Sequence, residues 1–131
     1  MRWMARSAVA IAVSGVSSHA HHAIASIYDS ANPITLEGTV VDFQFVSPHP
    51  FLVIEVEREG RTQRWRLDMD NRRELASVGM TRETFRAGDR VVVTGGPARD
   101  RSPSLYVRRL DRPSDGYWYE QVGSSPRVGG R

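Results

Sequence analysis

Residues 34–46, Ile34-Thr35-Leu36-Glu37-Gly38-Thr39-Val40-Val41-Asp42-Phe43-Gln44-Phe45-Val46, place apolar side chains at every second position, the signature of one long β-strand. Ile34, Leu36, Gly38 and Val40 share one parity, whereas Val41, Phe43 and Phe45 share the other. A strand that changes its buried face partway needs an extra residue. A bulge close to Gly38 is therefore expected, letting one coiled strand serve two halves of a sheet.

Phe51 to Glu57 continues as a second strand, in which Leu52, Ile54 and Val56 oppose Phe51, Val53 and Glu55. Glu59-Gly60 makes a hairpin turn, and Thr62 to Met69 returns with Trp65, Leu67 and Met69 on one face. The period then changes. Asn71 followed by Glu74 is a helix start with reciprocal capping, Leu75 and Val78 supply an apolar edge, and Gly79 ends the helix. A second short turn is expected from Thr81 to Phe85. Ala87-Gly88-Asp89 turns into a fourth strand, Arg90 to Thr94, whose three consecutive valines predict burial on both faces. Gly95 to Pro103 is a polar loop, and Ser104 to Leu110 is the fifth strand. Three strands, a helix and two strands predict a mainly β fold, a five-stranded OB-like antiparallel barrel with one short helix between strands 3 and 4. An SH3-like barrel or a small sandwich is the alternative. The helix, which can plug one end of a partly open barrel, favours the OB order.

The two ends of the chain differ from this middle. Arg2 and Arg6, the small or apolar stretch Ser7 to Val16, and Ser18-His19-Ala20 form a secretory signal pattern, predicting a signal peptide over residues 1–20. Its apolar stretch falls short of the ~20 residues a membrane span needs, so no stable membrane anchor is expected after cleavage. Removing 20 of the 131 residues leaves 111, enough for one domain, read as a barrel over residues 21–110. Residues 111–131, rich in Gly, Ser, Pro and Arg, are expected to be a flexible tail around the aromatic knot Tyr117-Trp118-Tyr119. The expected compartment is periplasmic or extracellular.

Composition narrows the chemistry. There is no cysteine, so thiol catalysis and thiolate metal sites are excluded and core packing alone holds the exported domain. Every basic side chain is arginine, and without Arg2 and Arg6 the balance is 16 arginines against 15 acids, a formal +1. Arg99, Arg101, Arg108 and Arg109 fall where OB folds commonly hold ligands. The near-neutral mature charge and the export signal nevertheless argue against a nucleic-acid partner. With no Gly-flanked serine and no convincing carboxylate pair, ordinary hydrolytic chemistry lacks its nucleophile or its acid-base partner.

Histidine is the informative residue. Cleavage after Ala20 leaves His21, His22 and His49, with His21 at the new N-terminus. A first-position histidine chelates through its amine and its ring, and a further imidazole completes a three-nitrogen set that suits Cu(II) and, less selectively, Ni(II) or Zn(II). His21 and His49 make that set, with His22 as neighbour or substitute ligand. Residues His22 to Pro33, if extended at ~3.3 Å each, span roughly 40 Å, enough to run back along the first strand to His49. A three-imidazole zinc site is less favoured, because adjacent side chains diverge in an extended segment. Asp68 and Asp70 are read first as structural, Asp68 pairing with an arginine and Asp70 helping to start the helix. The competing reading of the histidines is a solvated chain end and an exposed turn residue.

His21-His22 behind a signal sequence, Tyr28-Asp29, Pro33, Thr39-Val40, Pro48-His49, Trp65, Gly79, Gly88-Asp89 and the Leu105 to Leu110 strand resemble a family of small exported bacterial proteins, domain of unknown function 6152. The resemblance spans nearly all of residues 21–110 and implies a His-His start and an Asn-Pro-His turn. Here Ser47 stands in the asparagine position and Ala23 where a serine is usual. The combined expectation is an exported small binding module, taking copper or another small ligand through His21, His22 and His49. The alternatives are a non-catalytic adaptor contacting an envelope protein, and a copper-dependent redox enzyme.

Overall fold

The computed structural model describes residues 23–123 and 125–130. Seven strands and a helix follow in order: β1 Ile34–Gln44, β2 Phe51–Arg58, β3 Arg61–Asp68, α1 Arg72–Ser77, β4 Arg90–Pro97, β5 Ser104–Arg112, β6 Tyr117–Val122 and β7 Ser125–Gly129. β1 is antiparallel to β2 on one edge and to β4 on the other, with Val40 opposite Ile54 and Leu36 opposite Val93. β2 pairs with β3 and β4 with β5, also antiparallel. The start of β5 then lies parallel to the end of β3, with Leu67 opposite Leu105, and closes a five-stranded barrel. This is the expected OB-like order, with the short helix between β3 and β4.

β1 changes its buried face as the alternation predicts. Leu36 and Val40 are buried, and the register against β2 slips between Val40 and Asp42, making Val41 the extra residue. The bulge therefore falls three positions beyond Gly38. In β4, Val91 and Val93 are fully buried while Val92 is only half-buried, so burial of all three valines is not observed. The strand belongs to a barrel wall with one inner face, and alternation prevails. Asn71 caps α1, its side chain accepting the Glu74 N–H at 2.9 Å, and Leu75 enters the common core. Trp65, Leu67 and Met69 are buried together, as their shared parity requires.

The C-terminal segment differs from expectation. Across the described residues, the stretch 111–131 read as a flexible tail is the end of β5 and the hairpin of β6 and β7, laid beside the barrel through β5. Glycine there marks turns, Gly116 and Gly123 both having positive φ, which glycine adopts without steric cost. Tyr119 is fully buried and donates to the Gln121 side chain at 2.7 Å. Gln121 in turn donates to Asp70 at 2.6 Å and to the Gly123 carbonyl at 2.9 Å. The expected signal peptide lies outside the described residues. Among the described residues no helix is long and apolar enough to cross a membrane.

Candidate functional site

His49 sits in the turn between β1 and β2, half-buried, with Pro48 and Pro50 on either side. Its Nδ1 lies 3.0 Å from the Met69 carbonyl oxygen. A carbonyl only accepts, so Nδ1 carries a proton, which leaves Nε2 as the ring nitrogen available to a ligand. A backbone carbonyl holding one ring nitrogen is the usual way a metal-binding imidazole is oriented.

A cavity of about 310 Å³ adjoins His49, with Ala23, Ile24, Tyr28, Arg66, Asp68 and Tyr106 also on its wall. Residues 23–27 form a helical turn, and the chain then crosses β4 and the following loop. Asp29 N–H donates to the Pro97 carbonyl at 2.8 Å, Arg99 N–H to the Ile27 carbonyl at 2.8 Å, and the Arg99 guanidinium to the Ala25 carbonyl at 3.0 Å. These bonds hold Ala23 on the same cavity as His49. The return path imagined as a fully extended segment is therefore shorter and partly helical.

Tyr28 secures this segment from within. It is 6% exposed, its ring lies 5.9 Å from that of Tyr106, and its hydroxyl donates to the Asp68 carboxylate. Burial first, and the neighbouring Asp68 second, push the Tyr28 phenol well above its ordinary pKa, so it remains a neutral donor. The other Asp68 oxygen accepts from Arg66 Nε at 2.8 Å, and the Arg66 guanidinium lies 3.7 Å above the Phe51 ring. With both oxygens engaged, Asp68 is a clamp on Tyr28, in keeping with its arginine pairing. Asp70 is also structural: it accepts from Asn71 N–H at 2.7 Å and from Gln121. Burial likewise raises the Tyr106 phenol, with the Asp70 carboxylate the next cause. Asp29 accepts from Asn32 at 3.0 Å in the turn before β1, and that bond lowers its carboxyl pKa.

Of the three candidate ligands, His49 is placed on the cavity, while His21 and His22 lie outside the described residues. Among the described residues, no three His, Asp or Glu side chains converge as a metal site. Tyr28 and Arg66 were not anticipated as parts of this site. The Tyr28-Asp68 bond spans 40 positions in sequence, and no local periodicity announces it. Of the basic groups singled out near the last strands, Arg99 is bound to the N-terminal segment and Arg109 to Asp111 and Glu120.

Fold and site together define a small OB-like barrel carrying a histidine-lined cavity at the start of its described chain. The chain belongs to the Family of unknown function (DUF6152), whose sequence profile matches residues 9–105. The match ends early in β5, so β6 and β7 lie beyond it. No curated protein matches the chain. Among solved structures it is similar to the crystal structure of the ZRD-deleted mutant of TiaS in complex with agmatine, at 15% identity and a TM-score of 0.50, over 74% of this chain. The chain spans only 29% of that protein, and the likeness is one of fold alone.

Proposed function

We propose that this chain is an exported binding module that holds one Cu(II) through the His21 amine and ring and the His49 Nε2, with His22 adjacent. The observation that carries the reading is His49 itself. Its Nδ1 is engaged by the Met69 carbonyl, and it faces a cavity that Ala23 also lines. His21 is two residues before Ala23, and two residues reach roughly 7 Å when extended. Nitrogen ligands of this kind favour copper among the common divalent ions. The reading requires no turnover.

The test begins with intact-mass analysis of protein recovered from its export route, where a mature chain starting at His21 is expected. Copper titration followed by electron paramagnetic resonance then reports stoichiometry and nitrogen coordination. His49→Ala and a one-residue extension ahead of His21 are each expected to weaken binding, whereas Asp70→Asn leaves the coordination spectrum unchanged. Binding weakens as pH is lowered, because protons compete for the imidazoles and the amine. Equal copper affinity in the extended and native chains overturns the chelate. A mature form that retains Met1 removes its premise.

A further inference from the structure

A second cavity, of about 410 Å³, shares Ile24 and Tyr106 with the first and opens where the N-terminal segment meets β5 and β6. Its volume falls within the range of roughly 300–1,000 Å³ typical of small-molecule sites. Ile24, Ala25, Pro33, Val107 and Val122 give it an apolar wall. Val122 is 52% exposed, a large apolar side chain left in water at the rim. Gly96 brings two backbones together here: a Cβ on it would lie 2.9 Å from the Asp29 carbonyl oxygen. The bare glycine lets the turn containing Ser30 rest on β4 and complete the wall.

The charge on this wall is Arg108. In the pairing of β4 with β5, Thr94 lies opposite Arg109 and Gly95 opposite Val107, so Arg108 is the extra residue of a bulge. Bulges re-aim the side chain they carry. The adjacent Arg109 is spent on Asp111 and Glu120 and stacks on Trp118, 4.7 Å from its ring centre. Arg108, by contrast, has no hydrogen bond, ion pair or ring contact among the described residues. The amide of Gln121, also on the wall, is already committed to Asp70, Gly123 and Tyr119. A largely apolar cavity with one exposed, uncommitted guanidinium on its wall selects an anion with an apolar body.

We propose that this cavity binds a small organic acid, its carboxylate paired with Arg108 and its hydrocarbon part against Ile24, Pro33, Val107 and Val122. The proposal is independent of copper, since no histidine lines this wall.

The probe is hexanoate, titrated into the purified chain after chelator treatment and read by amide chemical shifts, with hexan-1-ol and hexylamine as controls. Hexanoate is expected to shift the Val107, Arg108, Val122 and Gly123 signals saturably. Hexan-1-ol is expected to bind roughly tenfold more weakly, the loss of one charge-assisted pair, and hexylamine not at all. Arg108→Gln lowers hexanoate affinity by a similar roughly tenfold factor while leaving hexan-1-ol unchanged, and the same spectra report that the variant is folded. Equal binding of acid and alcohol, indifference to Arg108→Gln, shifts confined to His49 and Tyr28, or no saturable shift with hexanoate each overturns the proposal. Because copper is removed, failure here leaves the copper reading standing, and failure of copper binding leaves this one standing.

Discussion

In the barrel, Leu52, Ile54, Leu67 and Leu105 are wholly buried, whereas in the β6–β7 hairpin the wholly buried large side chain among the described residues is Tyr119. Tyr117 and Val128 pack against the core only half-buried, and much of the rest of the hairpin's attachment is polar. Arg109 bridges Asp111 and Glu120, Arg127 reaches Glu120, and Arg112 holds Asp89, Asp115 and the Thr84 carbonyl while stacking on Phe85 and Tyr117. Apolar burial is non-directional and grows with area, so the barrel draws on many contacts that need no exact geometry. The more exposed of these pairs, such as Arg127 with Glu120, contribute about 0–1 kcal/mol each, and all of them, including the less exposed Arg112 pairs, depend on ionisation. The hairpin is therefore the part expected to open first, and it forms one side of the Arg108 cavity.

The largest expected effect lies in the barrel. Trp65, 8% exposed and opposite Ile54, is part of the common core, so Trp65→Ala is expected to cost about 3–5 kcal/mol in chemical denaturation. A loss below about 1 kcal/mol would erase the contrast by making the barrel core as tolerant as the hairpin. Its indole N–H is buried without a hydrogen-bond partner among the described residues, so Trp65→Phe is expected to cost much less than the alanine change.

Next comes the junction between the regions. Gln121→Leu removes the amide that donates to the buried Asp70 and accepts from Tyr119, leaving both groups with a lost partner. A cost of about 1–3 kcal/mol is expected, together with faster hydrogen exchange in residues 117–129 than in residues 51–68. Uniform acceleration would mean that hairpin and barrel open as one unit.

Acid sharpens the same comparison. Side-chain bonds from Arg109, Arg112 and Arg127 hold the Asp111, Asp115 and Glu120 carboxyls below their ordinary values of 3.8 for Asp and 4.5 for Glu. Folded values that are depressed mean stability present above the ordinary carboxylate range and lost as pH falls through the folded values. Hydrogen exchange followed from neutral pH down to about 3 is expected to show the hairpin losing protection before β2 and β3. Simultaneous loss would count against an ion-pair role. The smallest effect is expected at Arg90, whose pair with Glu37 at 2.7 Å has both side chains 64% exposed. Arg90→Ala is expected to change stability by less than about 0.5 kcal/mol in the same denaturation measurement.

The barrel was legible because its inward positions are apolar at every second residue. Leu52, Ile54 and Val56 announce a strand by themselves, as Asn71 and Glu74 announce a helix start. The hairpin was not legible, since its inward-facing positions are Tyr117, Tyr119 and Gln121 within a run of glycine, serine and arginine. A search for apolar alternation passes over a buried glutamine, whose place is set by Asp70, a residue 51 positions away. At the candidate site, His49 was visible from its rarity and its proline-flanked turn. The clamp of Tyr28, Asp68 and Arg66 was not, and neither was the bulge that singles out Arg108.

The sequence by itself determined the order of the five barrel strands along the chain, the helix cap, the exclusion of thiol chemistry and the short roll of histidines. All of these follow from side-chain period, local capping and composition, which act within a few residues. Only the tertiary structure decided that the start of β5 closes against β3, that Ala23 returns to His49, and that Arg108 stands uncommitted beside an apolar cavity. Each of those outcomes depends on which distant backbones come within hydrogen-bonding distance. That is settled by the packing of the whole barrel and by no single stretch of chain.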